Sequence, residues 1–105
     1  MTERHLQRQA DILKTLGQPT RLKILELLKD GERCVCEIYP ALGQEQANIS
    51  KHLNMMRRVG IVGCRKEGQR VVYWIRDNDV LEILARTTAI LAHDAEEDRR
   101  AFRTR

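Results

Sequence analysis

A chain of 105 residues fits one domain, here read as residues 1–105, with one modest core. At 42% hydrophobic residues wholesale disorder is excluded, and a net charge of +4 with a pI near 9.3 favours an anionic partner without requiring one. The polar N-terminus lacks an apolar signal region and no run approaches membrane-spanning length, which predicts a cytoplasmic protein with reduced thiols and no membrane partner.

Residues 5–16 read as a first helix, with Leu6, Ala10, Leu13 and Leu16 on one face and Gly17 as its stop. Gln18-Pro19-Thr20-Arg21 starts a second helix that runs to about Lys29. Leu22, Leu25 and Leu28 share its face, and Ile24 and Leu27 widen it. Asp30-Gly31 ends it, and Glu32 to Val35 is short enough to be extended. A helix from about Cys36 to Leu42 tolerates Pro40 in its first turns, and Gly43 breaks it. The next helix begins near Gln44 or Glu45 and ends before Gly60, with Ile49, Leu53, Met56 and Val59 facing inward. Helix, glycine turn and helix make a helix-turn-helix pattern. Ile61 to Ile75 changes period to two β-rich runs around a glycine turn, a hairpin whose tip carries Arg65, Lys66 and Arg70. Asp77-Asn78-Asp79 caps a last helix. Its apolar positions, Val80, Leu81, Ile83, Leu84, Ile90 and Leu91 among them, exceed what one side needs, so a homodimer is expected. Glu96 to Arg105 reads as a charged, fraying tail.

This order resembles the ArsR/SmtB family of winged helix-turn-helix repressors over residues 8 to 93. The marks are Leu16-Gly17-Gln18-Pro19-Thr20-Arg21-Leu22, Cys34-Val35-Cys36-Glu37-Ile38, Ile49-Ser50-Lys51-His52-Leu53, and Arg65-Lys66-Glu67-Gly68 before Val72-Tyr73. The resemblance implies a mostly α fold with a β-hairpin wing and a homodimer built from the first and last helices. It also implies operator binding in the metal-free state, with release when a metal or metalloid binds.

A helix N-terminus in the major groove needs paired donors and acceptors, which Gln46 and Asn48 offer. Ser50, Lys51 and His52 suit phosphate contact, and Arg65, Lys66 and Arg70 suit the flanking backbone or minor groove. A dimer would set two such helices roughly 34 Å apart over an inverted repeat of double-stranded operator DNA.

Cys34-Val35-Cys36 forms a C-x-C pair. On a regular helix the two thiols diverge, whereas on an extended segment they share a face about 6.6 Å apart. Chelation therefore needs the strand-to-helix junction to stay extended or distort. Thiolates at a helix N-terminus favour soft ions. The family's arsenic and antimony sensors, and its cadmium and lead sensors, carry a similar run, so As(III) or Sb(III) is the expected inducer, with Cd(II), Pb(II) or Zn(II) as alternatives. The arsenic pattern's third cysteine falls on Tyr39, and the N-terminal arm offers only His5, so the third ligand is unassigned. Cys64 is the remaining thiol, and one strand would separate it from Cys34 by some 10 Å if the Cys34 stretch pairs with the second wing strand. The family's zinc-type site would fall on Asp77, Asp79 and His93. Ile90 stands where another ligand is needed, so the aspartates read better as helix caps.

The leading reading is a repressor that senses a thiophilic metalloid or metal through Cys34 and Cys36. An oxidant or reactive-sulfur switch on the same thiols is the first rival. A thiol enzyme or metal carrier is the second. Three scattered histidines, with neither a Gly-rich phosphate loop nor a C-x-x-C motif, argue against an enzyme.

Overall fold

The computed structural model of the chain describes residues 1–103. Five helices and three strands follow in the order α1 (Glu3–Leu16), α2 (Pro19–Leu28), β1 (Arg33–Cys34), α3 (Val35–Leu42), α4 (Gln46–Arg58), β2 (Val62–Glu67), β3 (Arg70–Ile75) and α5 (Asp79–Arg103). The boundaries have local causes. Thr2 caps α1 by accepting the His5 N–H at 3.1 Å, which starts the helix two residues before the expected position. Gln18 does the same for α2 through the Arg21 N–H, with Pro19 at the first helical position. Gly43 ends α3 in the left-handed region at φ +63°, where a side chain is strained, and so turns the chain into α4.

The core lies where α2, α3 and α4 meet one face of the sheet. Ile24, Leu25, Ile38, Ile49, Leu53 and Met56 are all fully buried. The expected inward row of α4 is present, with Val59 only partly buried. Leu22, expected inside, is exposed, because α2 buries the Ile24, Leu25 and Leu28 side.

The sheet is antiparallel in the order β1-β3-β2. The Cys34 stretch does pair with the second wing strand, opposite Val72. Gly63 lies across from Trp74, and a Cβ there would sit 2.8 Å from the indole, so the close approach of the ring requires glycine.

The Asp77 carboxylate accepts the Asp79 N–H at 2.9 Å and opens α5, in line with the capping reading. The helix then runs on through residues 96–103, the stretch read as a fraying tail, with an Arg99–Glu96 ion pair. Residues 104 and 105 of that tail lie outside the described residues. Val80 alone is buried among the α5 residues, while Ile90 and Leu91, like Leu6 and Leu13 of α1, are exposed. No helix among the described residues is long and apolar enough to cross a membrane.

Candidate nucleic-acid interface and thiol site

The helix-turn-helix presents one edge of α4. Gln46, Ala47 and Lys51 are exposed, and Ser50 is half-buried beside them. Gln46, Ser50 and Asn54 recur every four residues and form one row. Asn48 is half-buried, and its amide donates to Gln44 Oε1 at 2.6 Å. Gln44 in turn donates to Thr20 Oγ1 at 3.4 Å. Asn48 is thus tied back toward the start of α2 and is less free to read a base than its sequence position implies.

His52 departs from the expectation of a phosphate contact. It is 7% exposed and points away from the outer edge of α4. Its Nδ1 accepts a hydrogen bond from Arg21 Nε at 3.0 Å, and Arg21 also donates to the Thr15 carbonyl at 3.1 Å. Position 52 lies on the same side as Ile49, Leu53 and Met56, so helical geometry turns it inward. The bond ties α4 to α2 and to the end of α1. Burial, then the Arg21 and Lys51 charges, push the imidazole below its ordinary pKa.

The folded chain therefore binds the His52 proton less readily than the unfolded chain. The resulting stabilisation is fully present above the unfolded value, about 6.5, and is lost as pH falls from there through the depressed folded value. The urea midpoint is expected to drop between pH 7.5 and pH 5.5, and His52→Gln, which keeps an acceptor for Arg21 but cannot titrate, to show a smaller drop. An equal drop in the variant would assign the pH dependence to other groups.

The wing divides the expected basic residues. Lys66 is exposed and has no ion pair among the described residues. Arg65 is engaged. Its guanidinium bonds Glu32 twice, at 2.7 and 2.5 Å, reaches Glu67 at 2.6 Å and lies over the Trp74 ring. The bond to Glu32, more than any other contact, raises its pKa. Position 65 is also mid-strand, opposite Val72, and not at the tip. Arg65 is therefore better placed to brace the wing than to touch a partner. Arg70 does stand at the tip and pairs weakly with Glu37 at 3.3 Å.

Cys34 and Cys36 meet at the junction of β1 and α3. Cys34 is the extended N-cap of α3 and is buried, whereas Cys36 is exposed in its first turn. One extended and one helical backbone bring the Cα atoms to 5.0 Å, closer than the strand spacing expected from sequence. The sulfurs are joined as a disulfide, in place of the expected reduced thiols. Glu37, which sequence reasoning misses, closes a capping box by accepting the Cys34 N–H at 3.1 Å. The signal is the Cys34-x-x-Glu37 spacing, with cysteine in the place usually held by serine or threonine.

Cys64 does not join the pair. It is opposite Tyr73 and Cys34 is opposite Val72, so β3 lies between them. Cys64 instead neighbours the Tyr73 hydroxyl, whose pKa is raised by burial first and by Cys64 second. His5 is exposed near the start of α1. Asp79 and His93 are both on α5, about 21 Å apart at helical rise, so the zinc-type set does not meet within one chain. Among the described residues no three His, Cys, Asp or Glu side chains are grouped to hold a metal.

The thiols open onto a cleft of about 330 Å³. Cys34 and Cys36 border it on one side, Gln46, Ser50 and Asn54 of α4 on another, and Arg70 and Tyr73 of β3 on the third. The thiol pair and the outer edge of α4 thus share one space.

Comparison with known proteins agrees with this architecture. Residues 18–63 match the family described as bacterial regulatory protein, arsR family. An uncharacterised HTH-type transcriptional regulator of Methanocaldococcus jannaschii is 47% identical over 79 residues, covering 74% of this chain and 89% of the relative. The arsenical resistance operon repressor of Escherichia coli is 44% identical over 63 residues, 59% of this chain and 54% of that protein. Among solved structures, the homodimeric winged helix-turn-helix DNA-binding domain of a possible ArsR-family regulator from Mycobacterium bovis superposes with a TM-score of 0.79 at 32% identity, covering 92% of this chain and 93% of that one. The chain belongs to the ArsR family and is a winged helix-turn-helix DNA-binding transcriptional regulator, not an enzyme.

Proposed function

We propose that the protein is a homodimeric repressor that leaves its operator when a thiophilic metalloid or metal binds Cys34 and Cys36, with As(III) or Sb(III) preferred over Cd(II), Pb(II) or Zn(II). One observation carries this reading: the thiols border the same cleft as Gln46 and Ser50 of α4. Anything held by the pair abuts the side chains best placed to enter a DNA groove. The donor set suits the ligand, since two sulfurs at one junction are soft donors. The name of the E. coli relative points the same way. The pair also sits at the N-cap of α3, so closing it on an ion fixes the backbone at the entry of the helix-turn-helix.

The dimer reading rests on the exposed apolar side chains of α1 and α5, Leu6, Leu13, Ile90 and Leu91. A two-fold pair places both α4 helices on one face of a duplex, over an inverted repeat. Gln46 serves base readout, and Ser50, Lys51, Lys66 and Arg70 serve the backbone. Asn48 is a secondary base contact. His52 and Arg65 act behind them by holding α4 and the wing in place. A regulator of this kind works in the compartment that holds the DNA, the cytoplasm.

The bonded sulfurs favour a second reading of the same site, response to oxidants through the Cys34–Cys36 disulfide. Fluorescence anisotropy on upstream DNA separates the two. Starting from reduced protein, release by arsenite supports the metalloid reading, and release by peroxide alone supports the redox reading.

Lys51→Ala is expected to weaken binding to every duplex and to reduce the slope of log K against log salt by about 0.9, the value for one lost phosphate contact. An unchanged slope would place Lys51 off the phosphate backbone.

A further inference from the structure

We propose that a cleft of four arginines at the base of the wing receives the acidic end of α5 from a second copy of this chain. The inference rests on the dimer reading above and adds to it an ion-pair site that neither copy completes alone. Arg8 of α1, Arg57 and Arg58 at the end of α4, and Arg76 just beyond β3 border a space of about 260 Å³. Arg76 passes over Gly60, its Nη1 3.4 Å from where a Cβ on that glycine would stand. None of the four arginines makes an ion pair among the described residues. Asp11 also borders the space, but it accepts from Gln7 Nε2 at 3.0 Å. Cations gathered in one cleft without matching acids attract an anion.

Operator DNA is poorly placed to be that anion. The cleft is at the C-terminal end of α4, about 17 Å along the helix from Gln46, and at the opposite end of β3 from the wing tip. The chain carries a better match on α5. Asp94, Glu97 and Asp98 share one helical face and continue the stripe of Ile83, Leu84, Thr87, Ile90 and Leu91. All three acids are exposed, and none makes an ion pair among the described residues. Glu96 is off that stripe and pairs with Arg99. The acids cannot reach the cleft of their own chain, because Asp94 is about 22 Å along α5 from Asp79, beside which Arg76 stands.

A second copy removes that distance. In a two-fold contact, residue i of one copy meets residue j of the other, and j meets i. Two α5 helices that cross antiparallel about Thr87, midway between Ile83 and Leu91, set residues 94–98 of one copy opposite residues 76–80 of the other. That stretch begins with Arg76. The exposed Ile90 and Leu91 are then covered near the middle, and acid meets arginine at both ends.

The test uses two full-length variants under reducing conditions. Arg58→Glu/Arg76→Glu turns the cleft acidic, and Glu97→Arg/Asp98→Arg turns the end of α5 basic. Either homodimer then sets like charges together, and its dimer Kd is expected to rise about tenfold or more over the parent's. Mixed in equal amounts, the variants restore opposite charges at both ends of a heterodimer. Native mass spectrometry is therefore expected to show more heterodimer than random mixing gives, an excess that pairing within one chain would not produce. Basic residues suit the C-terminal part of a helix, so the α5 variant keeps its fold. Its dimer Kd tests the site even if the cleft variant does not fold, and an unchanged value overturns the proposal. Random mixing of two folded variants also overturns it. So does calorimetric binding of pyrophosphate to the parent dimer that Arg58→Glu/Arg76→Glu abolishes, which would show the cleft open to a small anion. A monomeric parent overturns the dimer reading together with this inference, whereas a dimeric parent whose variants mix at random overturns this inference alone.

Discussion

Cys36→Ser is expected to bind operator DNA as tightly as the parent chain and to resist release by arsenite. Position 36 is exposed, and its side chain makes no hydrogen bond among the described residues, so serine should be accommodated without loss of fold. The substitution leaves one sulfur, which cannot hold a thiophilic ion between two donors. For a useful regulator, release corresponds to a coupling of about 1–3 kcal/mol, or roughly 5–150-fold in affinity. The parent chain should show a loss of affinity in that range on adding effector, and the variant essentially none. Cys34→Ser should behave alike for release. It should also cost little stability, because serine is a good N-cap and can still accept the Cys36 N–H that Cys34 Sγ accepts at 3.0 Å. Release of either variant at the parent's effector concentration would remove the pair from the mechanism.

Leu53→Ala should be the most damaging single change in the reading helix. Leu53 is fully buried with Ile24, Ile38 and Ile49, and it anchors the inward side of α4. Truncation removes apolar contact and leaves a cavity, a loss of about 2–5 kcal/mol. A domain of this size has only about 5–15 kcal/mol of stability in total. The urea midpoint should fall steeply with little change in slope, and specific DNA binding should fall with the folded fraction. A midpoint within experimental error of the parent's would show that α4 is not held by this core.

The period of the apolar residues makes the order of elements legible in the amino-acid sequence. Leu53 and Met56 repeat at helical spacing and Ile61 to Ile75 does not, so the change from α4 to the hairpin can be read by eye. Capping chemistry is legible too, at Pro19, Gly43 and Asp77. The functional edge is only partly so. Sequence gives each polar residue of α4 a helical angle but not its neighbours. His52 reads as a phosphate contact on that basis, yet Arg21, thirty-one residues away, holds its Nδ1. Arg65 reads as free for the same reason, because its partner Glu32 lies beyond β1 and across the sheet. Long-range pairs of this kind leave no local period. The thiol pair is evident from its spacing, but the meeting of its sulfurs depends on a junction that is extended at Cys34 and helical by Cys36. Neither regular geometry describes that. Strand register alone places Cys64 across β3 from Cys34.

The most direct test is the affinity of the reduced chain for a duplex carrying its own upstream sequence, measured by fluorescence anisotropy with and without one equivalent of a trivalent arsenical. The cleft shared by the thiols and α4 predicts tight binding without the arsenical and about 5–150-fold weaker binding with it. Reciprocity requires DNA to weaken arsenical binding by the same factor. Equal DNA affinity in both conditions, with the arsenical shown by mass to be on the protein, would contradict the claim that the thiol pair controls the reading helix.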